Sequence, residues 1–213
     1  MANSYIQSLI TESLSELNLT AKQKAVLTAS LKLFSEKGFE RTSTHDIAQS
    51  AGVSEGTVYK QFKTKEGILA AIIEPFIQKV LPKAVAKFTA EMTKTSFPDF
   101  NDFLLALIRN RMTFAFDNMP QLRIILHEVT TNEAIVSRLE NHFQKLLVGP
   151  MASIFKKYQE TGQLVKWPTN RILRYIVTTI MGYVLPAALA RQTINIEQVS
   201  REAAEFLLKG LKP

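Results

Sequence analysis

The sequence contains no cysteine, which excludes disulfides, thiol catalysis and cysteine-ligated zinc. Its three histidines, His45, His127 and His142, stand at no spacing that pairs them with each other or with carboxylates as metal ligands. There is no glycine-rich phosphate loop and no nucleophile motif. No catalytic residue, metal site or cofactor is therefore expected, and an enzyme on a helical scaffold stands only as a rival reading. Long apolar runs are also missing. The longest uncharged stretch, 175–190, is interrupted by Thr178, Thr179, Gly182 and Pro186, and it reads as a buried helix rather than a membrane span. Residues 1–19 lack the basic start and continuous apolar core of a secretory signal. These features lead to the expectation of a cytoplasmic protein with no membrane partner. No alternating strand pattern of useful length occurs, and no internal repeat.

What is present is an ordinary folded composition. The chain has 213 residues, 46% apolar and 21% charged, enough for one larger or two smaller domains around a sizeable core. The net charge of +7 favours a polyanionic partner. The excess is spread along the chain, but Lys60, Lys63 and Lys65 crowd one short stretch.

That stretch closes the most informative segment, residues 42–67. Ser43 followed by Asp46 is a capping-box pair at the start of a helix. Ile47 and Ala48 give the helix an apolar face, and Gly52 supplies the positive φ of a sharp turn. Ser54 caps a second helix running from Glu55 to about Phe62, with Val58 and Phe62 on its buried side. Two short helices across a glycine turn form a helix-turn-helix, whose second helix would enter a DNA major groove.

The residues Gly38-Phe39, Thr42, Thr44, Ile47-Ala48, Ala51-Gly52-Val53-Ser54, Gly56-Thr57, Tyr59, Phe62 and Lys65-Glu66 occur in the order and spacing of one known family. Across Lys24 to Leu69 the chain resembles the N-terminal domain of the tetracycline-repressor (TetR) family. The resemblance implies an all-α protein with a DNA-binding domain at 1–67, carrying an extra N-terminal helix, and a ligand-binding and dimerisation domain at 68–213. It implies double-stranded DNA with a palindromic operator as partner, a second copy of the chain, and a small hydrophobic effector that releases the repressor. An effector-independent, architectural DNA-binding protein is the alternative. The expected DNA-contacting residues are Thr42, Thr44, Ser54, Gly56, Thr57, Tyr59, Lys60, Lys63 and Lys65. Hydroxyls and lysines suit phosphate contacts, and Gly56 lets the backbone come close. Glu55 departs from the pattern, since a carboxylate repels phosphate. It could instead accept from a cytosine amino group.

Beyond the motif the sequence reads as helices throughout. An amphipathic helix precedes the motif at 4–18, and another spans 20–37 with Gly38 as a left-handed cap. A helix begins at Lys65 and runs toward Val80, with Pro75 and Pro82 expected to kink or end it. Further helices are expected at 83–94, 100–117, 120–130, 132–157, 168–190 and 196–210. The resemblance implies a sensor cavity, expected among Phe103, Leu107, Phe114, His127, Phe143, Tyr175, Thr179 and Tyr183, whose aromatic side chains suit an apolar ligand. The last two helices are expected to form the dimer interface, with Ala187, Ala188, Ala190, Ala203 and Ala204 allowing close approach.

Overall fold

The computed structural model describes residues 5–131, 133–143 and 148–213. These residues form α-helices, one π-helical turn and no strand. The helices are α1 (Tyr5–Ser15), α2 (Ala21–Lys37), α3 (Thr44–Ala51), α4 (Glu55–Phe62), α5 (Lys65–Pro75) and α6 (Leu81–Lys94). They continue with α7 (Phe100–Asp117), α8 (Met119–Thr131), α9 (Glu133–Phe143), α10 (Gly149–Glu160), α11 (Thr169–Ala190) and α12 (Ile196–Leu211). The single helix expected at 132–157 is represented by α9 and α10, and residues 132 and 144–147 lie outside the described residues.

The chain divides into two compact units. One comprises Met1–Lys83 with Asn118–Val136, the other Ala84–Asp117 with Ser137–Pro213. These units are drawn otherwise than a single cut between residues 67 and 68. The reason is local packing: α8 lies on α2, and α5 with the turn after it lies on α1.

In the first unit, α2 is the central helix. Thr20 caps it: its hydroxyl accepts from Gln23 N at 3.2 Å, and the Gln23 side chain accepts from Thr20 N at 2.9 Å. Val26, Leu27, Leu31 and Phe34 are buried on its inner face. Each such side chain contributes about 1.5–3 kcal/mol by leaving water. Gly38 ends α2 at φ 90° and ψ 157°, an extended positive-φ conformation rather than the expected left-handed helical cap. That backbone turns Phe39 inward, where its ring meets Phe34 edge-on at 5.1 Å.

The extra helix α1 packs within this unit, burying Leu9, Ile10, Ser13 and Leu14. Its acids face lysines: Glu16 lies 2.8 Å from Lys79 and Glu12 lies 3.1 Å from Lys83. The bond from Lys79 also holds the Glu16 carboxyl below the usual carboxylate range.

The two prolines flank a change of helix type. Pro75 ends α5, Phe76–Val80 widens into a π turn, and Pro82 falls in the first turn of α6. A proline removes one N–H and crowds the preceding turn. The wider turn restores bonding, with Leu81 N–H donating to Phe76 O five residues back.

In the second unit, α12 packs on α7 and α11. Phe100, Phe103, Phe155 and Tyr158 form a ring cluster, with Phe103 6.2 Å from Phe155 and 5.6 Å from Tyr158 between centroids. Ala187, Ala188, Ala203 and Ala204 are buried here at 1–4% exposure. This corrects the expectation that these four present a dimer surface, while Ala190, named with them, is exposed. The four buried alanines let α11 and α12 close onto their own unit.

Candidate nucleic-acid interface

The helix-turn-helix is built by its caps. Ser43 Oγ accepts from Asp46 N at 3.0 Å, and Asp46 Oδ2 accepts from Ser43 N at 2.9 Å. These bonds from Ser43, with Lys37 adding less, hold the Asp46 carboxyl down to about 2. Gly52 ends α3 at φ 66° and ψ 34°, the left-handed conformation expected of it. Ser54 Oγ then accepts from Thr57 N at 3.3 Å and caps α4. Ile47, Ala48 and Val58 close the core between the two helices at 0–3% exposure. Thr64 caps α5 by accepting from Gly67 N at 3.0 Å. A Cβ on Gly67 would lie 2.3 Å from Phe62 O, so the α4–α5 corner requires glycine at that position.

The outer surface of α4 carries most of the expected contact residues. Tyr59 is 50% exposed, and its hydroxyl lies 3.1 Å from Thr44 Oγ1 on α3. Ser54, Gly56, Lys60 and Lys63 are exposed, and Thr57 is half-buried with its hydroxyl 3.0 Å from Ser54 Oγ. Nothing crowds Gly56: a Cβ there would lie 4.0 Å from its nearest neighbour, Ser54 Oγ. Lys63 ends α4 at φ 62° and ψ −47°.

Two expected contacts are placed differently. Thr42 is 1% exposed, its hydroxyl donates to Gly38 O at 2.8 Å, and its N–H donates to Phe39 O at 3.1 Å. It is a buried clamp on the corner before α3. Lys65 is half-buried, with Nζ 3.0 Å from Phe39 O and 4.2 Å from the Phe39 ring centroid. Its ammonium is held by the same corner.

Sequence reasoning missed one pair. His45 Nδ1 lies 2.5 Å from Glu55 Oε1, joining α3 to the first residue of α4. The Glu55 carboxylate, out of place beside phosphate, thus has a partner within the motif. Glu55 stood out by itself, but its partner ten residues earlier depends on the turn geometry.

The expected sensor residues are scattered over both units. Phe103 and Leu107 are buried core at 1% and 3% exposure. Phe103 also floors a cleft of about 290 Å³ bounded by Met92, Phe97, Lys157 and Tyr158. Phe114 lies against Arg111. His127 belongs to the first unit, where its ring meets Phe39 at 4.7 Å and its Nε2 lies 3.9 Å from Glu40. Tyr175 is exposed beside Trp167 at 5.9 Å, Thr179 donates to Tyr175 O at 2.8 Å, and Tyr183 is half-buried. The side chains of His142 and Phe143 lie outside the described residues.

A capped helix-turn-helix with an exposed second helix and a separate helical unit defines a DNA-binding transcriptional regulator. The model of the bacterial regulatory proteins of the tetR family matches residues 26–72. The chain is 37% identical over 203 residues to the HTH-type transcriptional regulator RutR of Escherichia coli, covering 92% of each. It is 34% identical over 201 residues to the uncharacterized HTH-type transcriptional regulator YvdT of Bacillus subtilis, covering 90% of this chain and 96% of that one. Two further relatives of Bacillus subtilis, the uncharacterized HTH-type transcriptional regulators YerO and YvkB, align with the chain over only 36% and 26% of their own length. The transcriptional regulator FadR of Bacillus subtilis, solved with stearoyl-CoA, shares the fold with a TM-score of 0.61 at 18% identity, over 87% of this chain and 97% of that chain. The chain belongs to the tetR family. It is a regulator of transcription and not an enzyme.

Proposed function

We propose that the chain is a cytoplasmic homodimeric repressor that binds a two-fold symmetric operator and leaves it when a small hydrophobic effector binds. The observation that carries DNA binding is the exposed surface of α4, where Gly56, Tyr59, Lys60 and Lys63 stand together beside Thr44 of α3. Ser54 and Thr57 add hydroxyls at its N-terminus, where free N–H groups favour phosphate. Residues 1–67 would form the DNA-binding domain and 68–213 the effector and dimer domain.

A second copy is supported by α11. Tyr175, Thr178, Gly182, Leu185 and Leu189 recur at spacings of three and four and are all exposed. That is the apolar seam of a helix that packs against another helix. Leu189 is 75% exposed, and Phe206 on the adjoining α12 is 70% exposed. One helix-turn-helix reads a half-site only, so two copies on a symmetric site multiply affinity. The stearoyl-CoA complex of FadR supports effector binding by this architecture. The effector would act by binding one separation of the two recognition helices better than the other.

The test is operator affinity of the full chain on fragments selected from genomic DNA. Tight, salt-dependent binding of two chains per site, weakened about 5- to 150-fold by a compound that binds the protein, is expected. Operator affinity unmoved by every compound that binds tightly would leave an effector-independent DNA-binding protein instead.

A further inference from the structure

Arg111 lies in the middle of α7, one residue before the fully buried Met112. Its guanidinium carbon is 3.9 Å from the centroid of Phe88 on α6 and 4.8 Å from that of Phe114. Nε donates to Asn110 Oδ1 at 3.0 Å, and Nη2 donates to the same oxygen. One neutral oxygen thus serves two of the five N–H groups of the fork. Asn110 Nδ2 donates in turn to Glu91 Oε2 at 3.2 Å. Among the described residues no carboxylate lies within ion-pair distance of Arg111 itself. Burial pushes this guanidinium down to about 10, and the more distant Glu91 offsets only part of that.

Two arginines of this unit share a carboxylate. Arg109 lies 2.8 Å from Glu197, and Arg201 lies 2.8 Å from the same carboxylate. A charge taken out of water needs a hydrogen-bonded counterion, and two aromatic faces supply only part of what water gave. The remaining N–H groups of Arg111 form a planar fork, held in place by two rings and aimed at no acid.

We propose that Arg111 anchors the effector by taking the carboxylate of a small organic acid, whose apolar body packs beside Phe88 and Phe114. The proposal rests on the effector-released reading above and names the chemical class of that effector. A single guanidinium neutralises at most one negative charge, and the nearby Glu91 carboxylate opposes any further one. That suits a monocarboxylate better than a phosphate ester, which carries more charge than this site opposes. Phe88 and Met92 stand four apart on α6 and are apolar, so the surroundings favour an aliphatic or aromatic body.

The experiment titrates the full chain with octanoate and benzoate, and with octanamide and benzamide as neutral counterparts, by calorimetry at pH 7. At least one acid is expected to bind at least tenfold more tightly than its amide. Arg111→Gln should abolish that preference and leave amide affinity unchanged. Arg111→Lys, which keeps the charge but loses the fork, should recover part of it. Glu91→Gln, which removes the competing carboxylate, should strengthen acid binding. If Arg111→Gln does not fold, the acid–amide comparison on the unaltered chain decides alone. Equal binding of acid and amide, no binding of either acid, or full acid affinity in a folded Arg111→Gln variant overturns the proposal. Operator affinity is measured separately. An acid held by Arg111 that leaves operator affinity unchanged keeps the anchor and removes the repressor-release reading. A neutral compound that releases operator while no acid binds keeps that reading and removes the anchor.

Discussion

Leu189→Glu combined with Phe206→Glu is the direct test of the seam on α11 and α12. Both side chains are mostly in solvent in the single chain, so neither carboxylate disturbs packing within its own unit. Full burial of such a side chain is worth about 1.5–3 kcal/mol. Most of that burial is still to be made, so each residue supplies about 1 kcal/mol or more on association. A two-fold interface uses each residue twice, so the pair removes about 4 kcal/mol. At about 1.4 kcal/mol per factor of ten, the dimer dissociation constant rises about a thousandfold. The desolvation of new carboxylates adds to this. Sedimentation equilibrium should find monomers at concentrations where the unaltered chain is dimeric. Helical content by circular dichroism should be unchanged and operator binding much weaker. Ala188→Glu and Ala203→Glu provide the contrast. Those positions are 4% and 1% exposed, so a charge there should unfold the unit rather than separate two folded chains. A double variant that dimerises normally, or a well-folded monomer from Ala188→Glu, would refute this assignment of the seam.

Lys60→Ala and Lys63→Ala should each lower the slope of log affinity against log salt by about one, with little effect on melting temperature; unchanged slopes remove them from the interface. Lys65→Ala should instead lower the melting temperature of the first unit, because it deletes the bond to Phe39 O, and leave the salt slope nearly unchanged. Gly56→Val should fold, since nothing crowds that position, and should lose operator binding if the DNA backbone approaches there. Gly67→Ala should destabilise the fold by about 1–3 kcal/mol, because its Cβ meets the Phe62 carbonyl; an unchanged melting temperature contradicts that geometry. Asp46 is held at about 2, below its ordinary 3.8, so its stabilisation is present above the ordinary value and lost as pH falls toward about 2. Asp46→Asn should therefore flatten that part of the acid unfolding curve.

Local chemistry made the motif legible. Ser43 with Asp46, Gly52, and Ser54 act on backbone groups within four residues, so their spacing alone predicts the caps that the structure contains. Helix limits elsewhere follow the same logic, and α7 occupies 100–117 as its apolar spacing requires. Partners distant in sequence were not legible. The alanines of α11 and α12 satisfy both a dimer seam and a close internal contact, and only burial separates the two. The face proposed as the seam carries Tyr175, Thr178, Gly182, Leu185 and Leu189. It was masked because the opposite face, with Ile172, Ile176, Ile180 and Val184, is as apolar. A helix apolar all round carries no sign of which face meets its own unit. Pro75 was legible as the place where the helix changes: α5 ends there, and a π turn leads on into α6.

The polar residues of the motif divide by what they already bond. A hydroxyl or ammonium that meets a phosphate must first leave any partner it has, so its net gain is small. Thr42 and Lys65 both bond the corner formed by Gly38 and Phe39. They hold α3 and α5 to the end of α2 and so fix where α4 stands. Tyr59 occupies the middle case: Thr44 steadies its hydroxyl while half of its surface stays open. Lys60 and Lys63 are exposed at the end of α4 and free to follow a phosphate backbone. A pattern of polar residues shared with other helix-turn-helix domains therefore holds two functions at once. One part orients the recognition helix and the other is proposed to meet the nucleic acid, and only the second part should register in the salt dependence of binding.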